Sequence, residues 1–363
     1  MRLCLFIGHH KVGSTALQDH LARNAGRLAR AGILYPAVES EGLALLLRQV
    51  LDPDDDGPDR FNAREPHNAL VFRIWHEISG TDVPRWHPGL PSVHQMLLTI
   101  ANQVRFLQPK AVILCAETFS GLAARPAQLA RIAKLFAGAE VSLHCTLRRP
   151  DDHLASWHAQ RLRFGDRLGQ LSAEGFDGYP DSFHVDYTRI LKPWRAAFPE
   201  ARLSLRRYED VLDVGGSIED FHRESRLTFP KDLLAARRLN PSLHRGLIEL
   251  GRRATLAGPP RQALDLVEAL IRLSGDLRIP PTRDVELFGP ANRLRLRDRF
   301  APVAADLAEI AQRDLFPDVA QIADCRPIPE VEAFERLVPE VLPRLPPALA
   351  EWSRHLAGRK EAA

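Results

Sequence analysis

The chain has 363 residues, of which 45% are hydrophobic and 26% charged, and its formal net charge is +3. This length can bury a large core, either as one large α/β domain or as one domain with a helical extension. So small a net charge does not indicate a nucleic-acid or membrane partner, and no apolar run approaches the roughly 20 residues that span a bilayer. The four widely spaced cysteines show no metal-ligand spacing. We therefore expect a cytoplasmic protein whose cationic sites are local.

Four apolar or alternating segments are typical of strands in a parallel sheet. They are RLCLFIG (2–8), KAVILCAE (110–117), AEVSLHCTLRRP (139–150) and ARLSLRRYED (201–210). Helical patterns occupy 15–31 and 151–164. This alternation predicts an α/β fold, a three-layer doubly wound parallel sheet flanked by helices. Such sheets bind ligands beyond the carboxyl ends of their strands.

The sequence also predicts how the chain is divided. Residues 1–230 should form the α/β core, with a polar lid-like insertion near 51–95. The stretch 51–66 inside it is acidic and rich in turn formers, which is typical of a surface loop or lid. Residues 231–363 are mainly helical in pattern and punctuated by prolines, and we expect them to pack on the same domain.

The first predicted strand runs into a glycine-containing stretch, GHHKVGST, at residues 8–15. A loop from strand to helix offers backbone N–H groups and the positive end of the helix dipole to an anion. The triphosphate-binding loop places a lysine directly after its second glycine, whereas here Ser14 follows Gly13 and the lysine is Lys11. An ammonium in that position suits a bridging or leaving oxygen. The alternative is a plain strand–helix turn with a solvated lysine.

Further polar residues follow the third and fourth predicted strands. Arg148 ends a strand, Pro150 begins a predicted helix, and Ser156 lies eight residues after the arginine. An arginine fork and a hydroxyl together can hold a phosphate monoester. On spacing alone, an ordinary surface arginine before a helix is an equally good explanation.

Taken together, these segments resemble a known family. HKVGSTALQ, GILYP, LRRPDDHLASWHAQ and RRYEDVL, in this order, resemble the sulfotransferases that use 3′-phosphoadenosine 5′-phosphosulfate, and most closely their bacterial branch. The resemblance covers most of residues 1 to about 225, and it implies a fold like that of P-loop nucleoside-triphosphate hydrolases. It implies a 5′-phosphosulfate loop, a 3′-phosphate pair and an adenine contact. The matching residues are, respectively, Lys11, Val12, Gly13, Ser14 and Thr15; Arg148 and Ser156; and Tyr208.

Two features depart from the family pattern. Ala16 stands where cytosolic members place a tryptophan that stacks on adenine. The C-terminal RKG segment that those members add around the 3′-phosphate is not found either. Half of the expected adenine sandwich is therefore unassigned.

The resemblance implies transfer of a sulfuryl group to a hydroxyl or amine acceptor, with adenosine 3′,5′-bisphosphate as the other product. Carbohydrates are among the candidate acceptors. Because a sulfuryl group carries less negative charge than a phosphoryl group, Lys11 can take the place of a metal ion. The acceptor also needs a base. The candidates are Glu117 in CAETFS, which resembles a serine-serine-glutamate segment of the bacterial branch, and His67 in EPHNAL. His9 and His10 lie beside the loop.

Each candidate base has a structural alternative, since a glutamate at a strand end often caps the next helix and a lone histidine is often a core hydrogen-bonder. Two other functions also stay open. One is a P-loop kinase-like phosphotransferase, which the sequence disfavours because it lacks Gly-Lys-Ser/Thr and an evident Walker-B aspartate. The other is a non-catalytic nucleotide-binding protein that retains the fold. The sequence leaves the acceptor and the oligomeric state open.

Overall fold

A computed structural model describes residues 1–52, 55–57, 60–237 and 242–358. Pro53, Asp54, Pro58 and Asp59 of the predicted lid lie outside the described residues. The chain forms two compact units, Met1–Arg148 with Tyr187–Leu239 and Arg149–Asp186 with Asn240–Ala363. The segment 149–186, which the sequence prediction placed in the core, thus groups with the C-terminal part. No helix within the described ranges has the length and apolar character to cross a membrane.

The described part of the first unit contains a five-stranded parallel sheet. Its strands are β1 (Arg2–Phe6), β2 (Ile33–Leu34), β3 (Ala111–Cys115), β4 (Glu140–Leu147) and β5 (Arg202–Arg207). The spatial order is β2-β3-β1-β4-β5, so β1 lies in the middle of the sheet. The predicted α/β class and the four predicted strands are confirmed, and β2 is an additional short strand. Because all pairs are parallel, the carboxyl ends of the strands share one edge.

The core of the first unit follows from the alternation of side chains along β1. Cys4 and Phe6 belong to an apolar cluster with Leu17 and with Phe221, whose ring centroid lies 6.5 Å from that of Phe6. Leu3 and Leu5, on the opposite face, are also fully buried. A strand that is buried on both faces has a continuous run of apolar residues in its sequence, so β1 could be predicted.

Helices connect the strands of the first unit. They are α1 (Ser14–Arg23), α2 (Ala25–Arg30), α3 (Ser40–Leu51), α4 (Phe61–Arg64), α5 (Pro66–Ser79), α6 (Val93–Leu107), α7 (Phe119–Leu122), α8 (Pro126–Leu135) and, after α9 (Pro150–Arg163) of the second unit, α10 (Thr188–Ala197), α11 (Tyr208–Asp213) and α12 (Ser217–Ser225). The helix predicted over 15–31 is interrupted at Asn24, whose side-chain amide bonds to the carbonyls of His20 and Leu234.

The described part of the second unit is mainly helical, as predicted for the C-terminal region. Besides α9 it contains α13 (Ile248–Ala257), α14 (Pro260–Ser274), α15 (Gly289–Ala311), α16 (Glu330–Val341) and α17 (Pro347–Gly358), with 3-10 turns at Glu174–Phe176, Arg245–Leu247, Thr282–Asp284, Val319–Ala323 and Leu342–Arg344. The two-residue strands β6 (Val285–Glu286) and β7 (Ile328–Pro329) pair in parallel.

A buried ion network holds the start of α9 in the second unit. The Asp151 carboxylate, fully buried, accepts bonds from Arg149 at 2.8 and 3.0 Å and from Arg326 at 3.0 Å. Arg293 of α15 lies 3.4 Å from the same carboxylate and donates to Glu286 at 2.6 Å. A buried charge is tolerated only when it is paired in this way, so the acids at the start of α9 serve the fold of this unit.

Candidate functional site

The loop between β1 and α1 is shaped by residues with left-handed backbone. Gly8, Lys11 and Gly13 have φ values of 116°, 62° and 85°. Gly13 caps α1, and its carbonyl accepts bonds from the N–H groups of Ala16 and Leu17 at 3.1 and 3.3 Å. The first-turn N–H groups of α1 and the positive end of its dipole therefore lie at the loop, which suits an anion.

Gly13 is also required by a close approach. The Ser217 hydroxyl of α12 donates to the Gly13 carbonyl at 2.9 Å. A Cβ atom at Gly13 would lie 2.9 Å from Ser217 Oγ and 3.1 Å from Ser217 Cβ. Any side chain at this position would thus displace α12 or the loop.

The other end of the loop is fixed between two strand ends. The His9 N–H donates to the Thr146 carbonyl at 2.8 Å, and the Thr146 N–H donates to the Gly8 carbonyl at 2.9 Å, so the ladder with β4 continues past β1. On the opposite side, a Cβ at Gly8 would lie 3.0 Å from Ser120 Cβ and 3.2 Å from the Glu117 carbonyl oxygen. The loop backbone therefore packs directly on the turn that carries Glu117.

The two histidines of the loop have different settings. His9 is fully buried, and its ring lies edge-on to Tyr187 with centroids 5.4 Å apart. The His10 N–H donates to Nδ1 of His9 at 2.7 Å. Burial, and then the charge of Lys11, lower the pKa of His10 to about 3. His10 is therefore neutral near pH 7, while the half-buried Lys11 contributes a positive charge to the loop.

Glu117 follows β3 and is bonded to two buried amides. Its Oε2 accepts a bond from Gln18 Nε2 at 2.6 Å, and its Oε1 accepts one from Asn68 Nδ2 at 3.1 Å. Gln18 lies on α1, just after the loop, and is fully buried. The half-buried carboxylate is thus fixed to the helix that the loop begins, with lone pairs remaining to accept a proton.

His67 occupies a different place. It is fully buried on α5, and its Nδ1 accepts a bond from the Cys115 N–H at 3.2 Å. Its ring meets Tyr35 edge-on at 4.9 Å, and burial lowers the pKa of His67 to about 3. The histidine is therefore a neutral acceptor inside the core, and Glu117 is the better-placed candidate base.

Arg148 and Tyr208 contact each other at adjacent strand ends. Arg148 follows β4, Tyr208 follows β5, and the guanidinium carbon lies 5.2 Å from the centroid of the tyrosine ring. This is a cation–π distance. The Arg148 carbonyl accepts a bond from the hydroxyl of the fully buried Tyr187 at 2.7 Å, which fixes the backbone there. A predicted phosphate-binding residue and a predicted adenine-binding residue are thus neighbours.

The remaining predicted residues lie as follows. Val12 is buried in the cluster under the loop, Ser14 is buried at the start of α1, and Thr15 is half-buried. Ala16 packs against the same cluster. Ser156 is half-buried on α9 of the second unit, so its pairing with Arg148 stays a prediction.

Sequence reasoning missed several residues that build this site: Gln18, Glu65, Asn68, Tyr187 and Ser217. Gln18 had a detectable signal, because it is a polar residue that directly follows Leu17 in the buried part of α1. Asn68 adjoins the predicted His67, and the structure shows that the neighbour, not the histidine, contacts Glu117.

A separate groove of about 610 Å³ lies along α3 and α6 of the first unit. Its lining is largely apolar or uncharged, including Leu43 and Phe106, and the carboxylate of its Glu39 is used to cap α3. None of the predicted site residues lines this groove. The charged groups that could hold an anion are instead at the carboxyl edge of the sheet.

The fold and the site define an α/β protein with a glycine-containing, lysine-bearing loop at the carboxyl edge of a parallel sheet. Comparison of the chain with protein-family models, curated proteins and solved structures finds no match. The functional interpretation therefore depends on the residues themselves.

Proposed function

We propose that the protein is a sulfotransferase that moves the sulfuryl group of 3′-phosphoadenosine 5′-phosphosulfate to a hydroxyl or amine, within a P-loop-like doubly wound fold. The observation that carries the proposal is the grouping of predicted site residues at one edge of the sheet. The loop, Glu117, Arg148 and Tyr208 follow four adjacent parallel strands, β1, β3, β4 and β5. Ligands of parallel α/β sheets bind at this edge.

The loop supports the donor end of the proposal. The start of α1 offers N–H groups and hydroxyls to the 5′-phosphosulfate, with Ser14 and Thr15 directly after Gly13. Lys11 precedes the second glycine, so its ammonium suits the bridging oxygen, where negative charge grows as the sulfur–oxygen bond breaks. A lysine directly after Gly13, as nucleoside triphosphate sites require, is absent from the sequence.

Arg148 and Tyr208 support the nucleoside end. An arginine beside an aromatic ring offers charge-assisted donors to a phosphate and a flat apolar surface to a base. We assign the 3′-phosphate to Arg148 and the adenine ring to Tyr208. Ala16 supplies no second aromatic surface, so we expect adenine to be stacked on one side by Tyr208.

The reaction balances with these groups alone. The acceptor oxygen or nitrogen attacks sulfur, and the bond between sulfur and the bridging oxygen breaks. The electron pair of that bond leaves with adenosine 3′,5′-bisphosphate, whose new charge Lys11 neutralises. Glu117 takes the acceptor proton.

The test offers the protein a sulfur-labelled donor with a panel of carbohydrate hydroxyls, phenolic hydroxyls and amines, and follows the release of label from the donor. We expect transfer by the wild-type protein and a loss of about 100-fold or more in Lys11→Ala. Lys110→Ala is the matched control, since Lys110 is exposed and directly precedes β3, at the opposite edge of the sheet. An intact donor in every wild-type reaction, alongside tight binding of the bisphosphate, would instead identify a non-catalytic nucleotide-binding protein.

A further inference from the structure

A second carboxylate lies beside Glu117. Glu65 directly precedes α5 and is 8% exposed. Its Oε2 lies 3.2 Å from Asn68 Nδ2, the same nitrogen that is 3.1 Å from Glu117 Oε1. One amide nitrogen therefore bridges two carboxylates.

The orientation of this amide is determined by its neighbours. The Asn68 Oδ1 accepts a bond from the Thr118 hydroxyl at 2.8 Å, which directs the amide N–H groups toward the carboxylates. Asn68 is 1% exposed, so water does not compete for these bonds. Gln18 Oε1 is a third acceptor at 3.2 Å from a nitrogen with two hydrogens. The two hydrogens of Asn68 Nδ2 are thus divided among three acceptors, two of which are the carboxylates of Glu65 and Glu117.

The two carboxylates, Glu65 and Glu117, carry more negative charge than the single arginine in contact with Glu65 can balance. Arg64 is the cation that contacts Glu65, at 2.9 Å. Tyr35 and Cys115 also face the pair, and burial, reinforced by the nearby carboxylates, raises the pKa of each so that both are neutral. Burial, and then the charge of Glu117, raise the pKa of Glu65. The Glu65 carboxyl therefore keeps its proton to a higher pH than a free glutamate does.

We propose that Glu65 is a positioning residue for Glu117, coupled to it through Asn68, and that it keeps the Glu117 carboxylate oriented for proton transfer. The proposal rests on the proposed function for its chemical meaning. In the transfer step the acceptor proton moves to a Glu117 oxygen. Glu65 anchors the Asn68 amide, and the same amide nitrogen bonds a Glu117 oxygen, so the receiving carboxylate keeps one orientation.

The first test compares Glu65→Gln with Glu140→Gln, a change of an exposed glutamate at the opposite end of the sheet. The readouts are kcat and KM for sulfuryl transfer. We expect Glu65→Gln to lower kcat by up to about 100-fold, the scale for a misplaced catalytic group, and to leave KM for the donor near the wild-type value, because the carboxylate that anchors Asn68 is lost. Binding of adenosine 3′,5′-bisphosphate should not change. A normal kcat in Glu65→Gln would overturn the proposal, and Glu65→Asp should restore turnover.

The second test needs no turnover, so it separates failure of this proposal from failure of the proposed function. Carboxyl carbons of glutamate and aspartate are labelled and followed by NMR against pH in the wild-type protein, Glu65→Gln and Glu65→Asp. We expect the carboxyls at positions 65 and 117 to titrate in two mutually dependent steps in the wild-type and Glu65→Asp proteins, and one step to remain in Glu65→Gln. Independent wild-type titrations, with the Glu117 signal unaffected by Glu65→Gln, would show that the pair is not coupled.

Discussion

Replacing Gly13 by alanine should destabilise the protein more than the same change at Gly80. Both glycines are left-handed, with φ of 85° and 67°, so alanine costs each about 1–2 kcal/mol of backbone energy. At Gly80 the new Cβ meets nothing within 4 Å, whereas at Gly13 it lies 2.9 Å from Ser217 Oγ. Overpacking of this kind adds about 1–3 kcal/mol. We therefore expect losses of about 1–2 kcal/mol for Gly80→Ala and about 2–5 kcal/mol for Gly13→Ala.

The measurement is the free energy of unfolding in urea for both variants, with Ser217→Gly as the partner in a double-mutant cycle. Removing the Ser217 side chain should relieve the added cost of Gly13→Ala and leave the backbone cost. Gly13→Ala should also weaken binding of adenosine 3′,5′-bisphosphate, because the start of α1 is displaced, while Gly80→Ala should not. Equal destabilisation by the two alanine variants would refute the argument that Ser217 requires a glycine in the loop.

Three further predictions follow from the site. In calorimetry, Arg148→Ala should weaken the binding of adenosine 3′,5′-bisphosphate about 10- to 150-fold, since charge-assisted bonds contribute about 1.5–3 kcal/mol. The binding of adenosine 5′-phosphate should barely change. Equal weakening for both nucleotides would show that Arg148 does not contact the 3′-phosphate. Glu117→Gln should still bind the bisphosphate but lose about 100- to 10,000-fold in kcat, because the general base is lost. If His67→Gln instead binds the donor without turnover, the histidine is the general base. His67 has a pKa of about 3 in the folded protein, so the free energy of unfolding should fall as the pH drops below about 6.5. Urea titrations of His67→Gln at several pH values should show a dependence of this free energy on pH that is shallower by up to ~1.4 kcal/mol per pH unit. An unchanged dependence would show that His67 is not buried in its neutral form.

The fold was predictable where one physical signal dominated. β1 and β3 are buried on both faces and read as apolar runs, so their positions were evident. β2 could not be predicted because two residues are too few for a pattern. The break after α1 depends on Asn24 bonding to Leu234, a contact between distant parts of the chain.

The site was predictable only in part, for a similar reason. The loop motif is local, so its glycines and Lys11 were visible in the sequence. The bonds of Glu117 come from Gln18 and Asn68, which are 99 and 49 residues away in the chain. Such partners are selected by the packing of α1 and α5 against β3, and no spacing in the sequence reports them.

We propose that the carboxyl edge of the sheet binds a nucleotide with a 3′-phosphate and that this binding needs no metal. Calorimetric titration with adenosine 3′,5′-bisphosphate, adenosine 5′-phosphate and ATP with magnesium tests it most directly, using the wild-type protein with Lys11→Ala and Lys110→Ala. We expect the bisphosphate to bind most tightly of the three without added metal, Lys11→Ala to weaken its binding, and Lys110→Ala to leave its binding unchanged. Tighter binding of ATP with magnesium, or no preference for the 3′-phosphate, would contradict the proposed site.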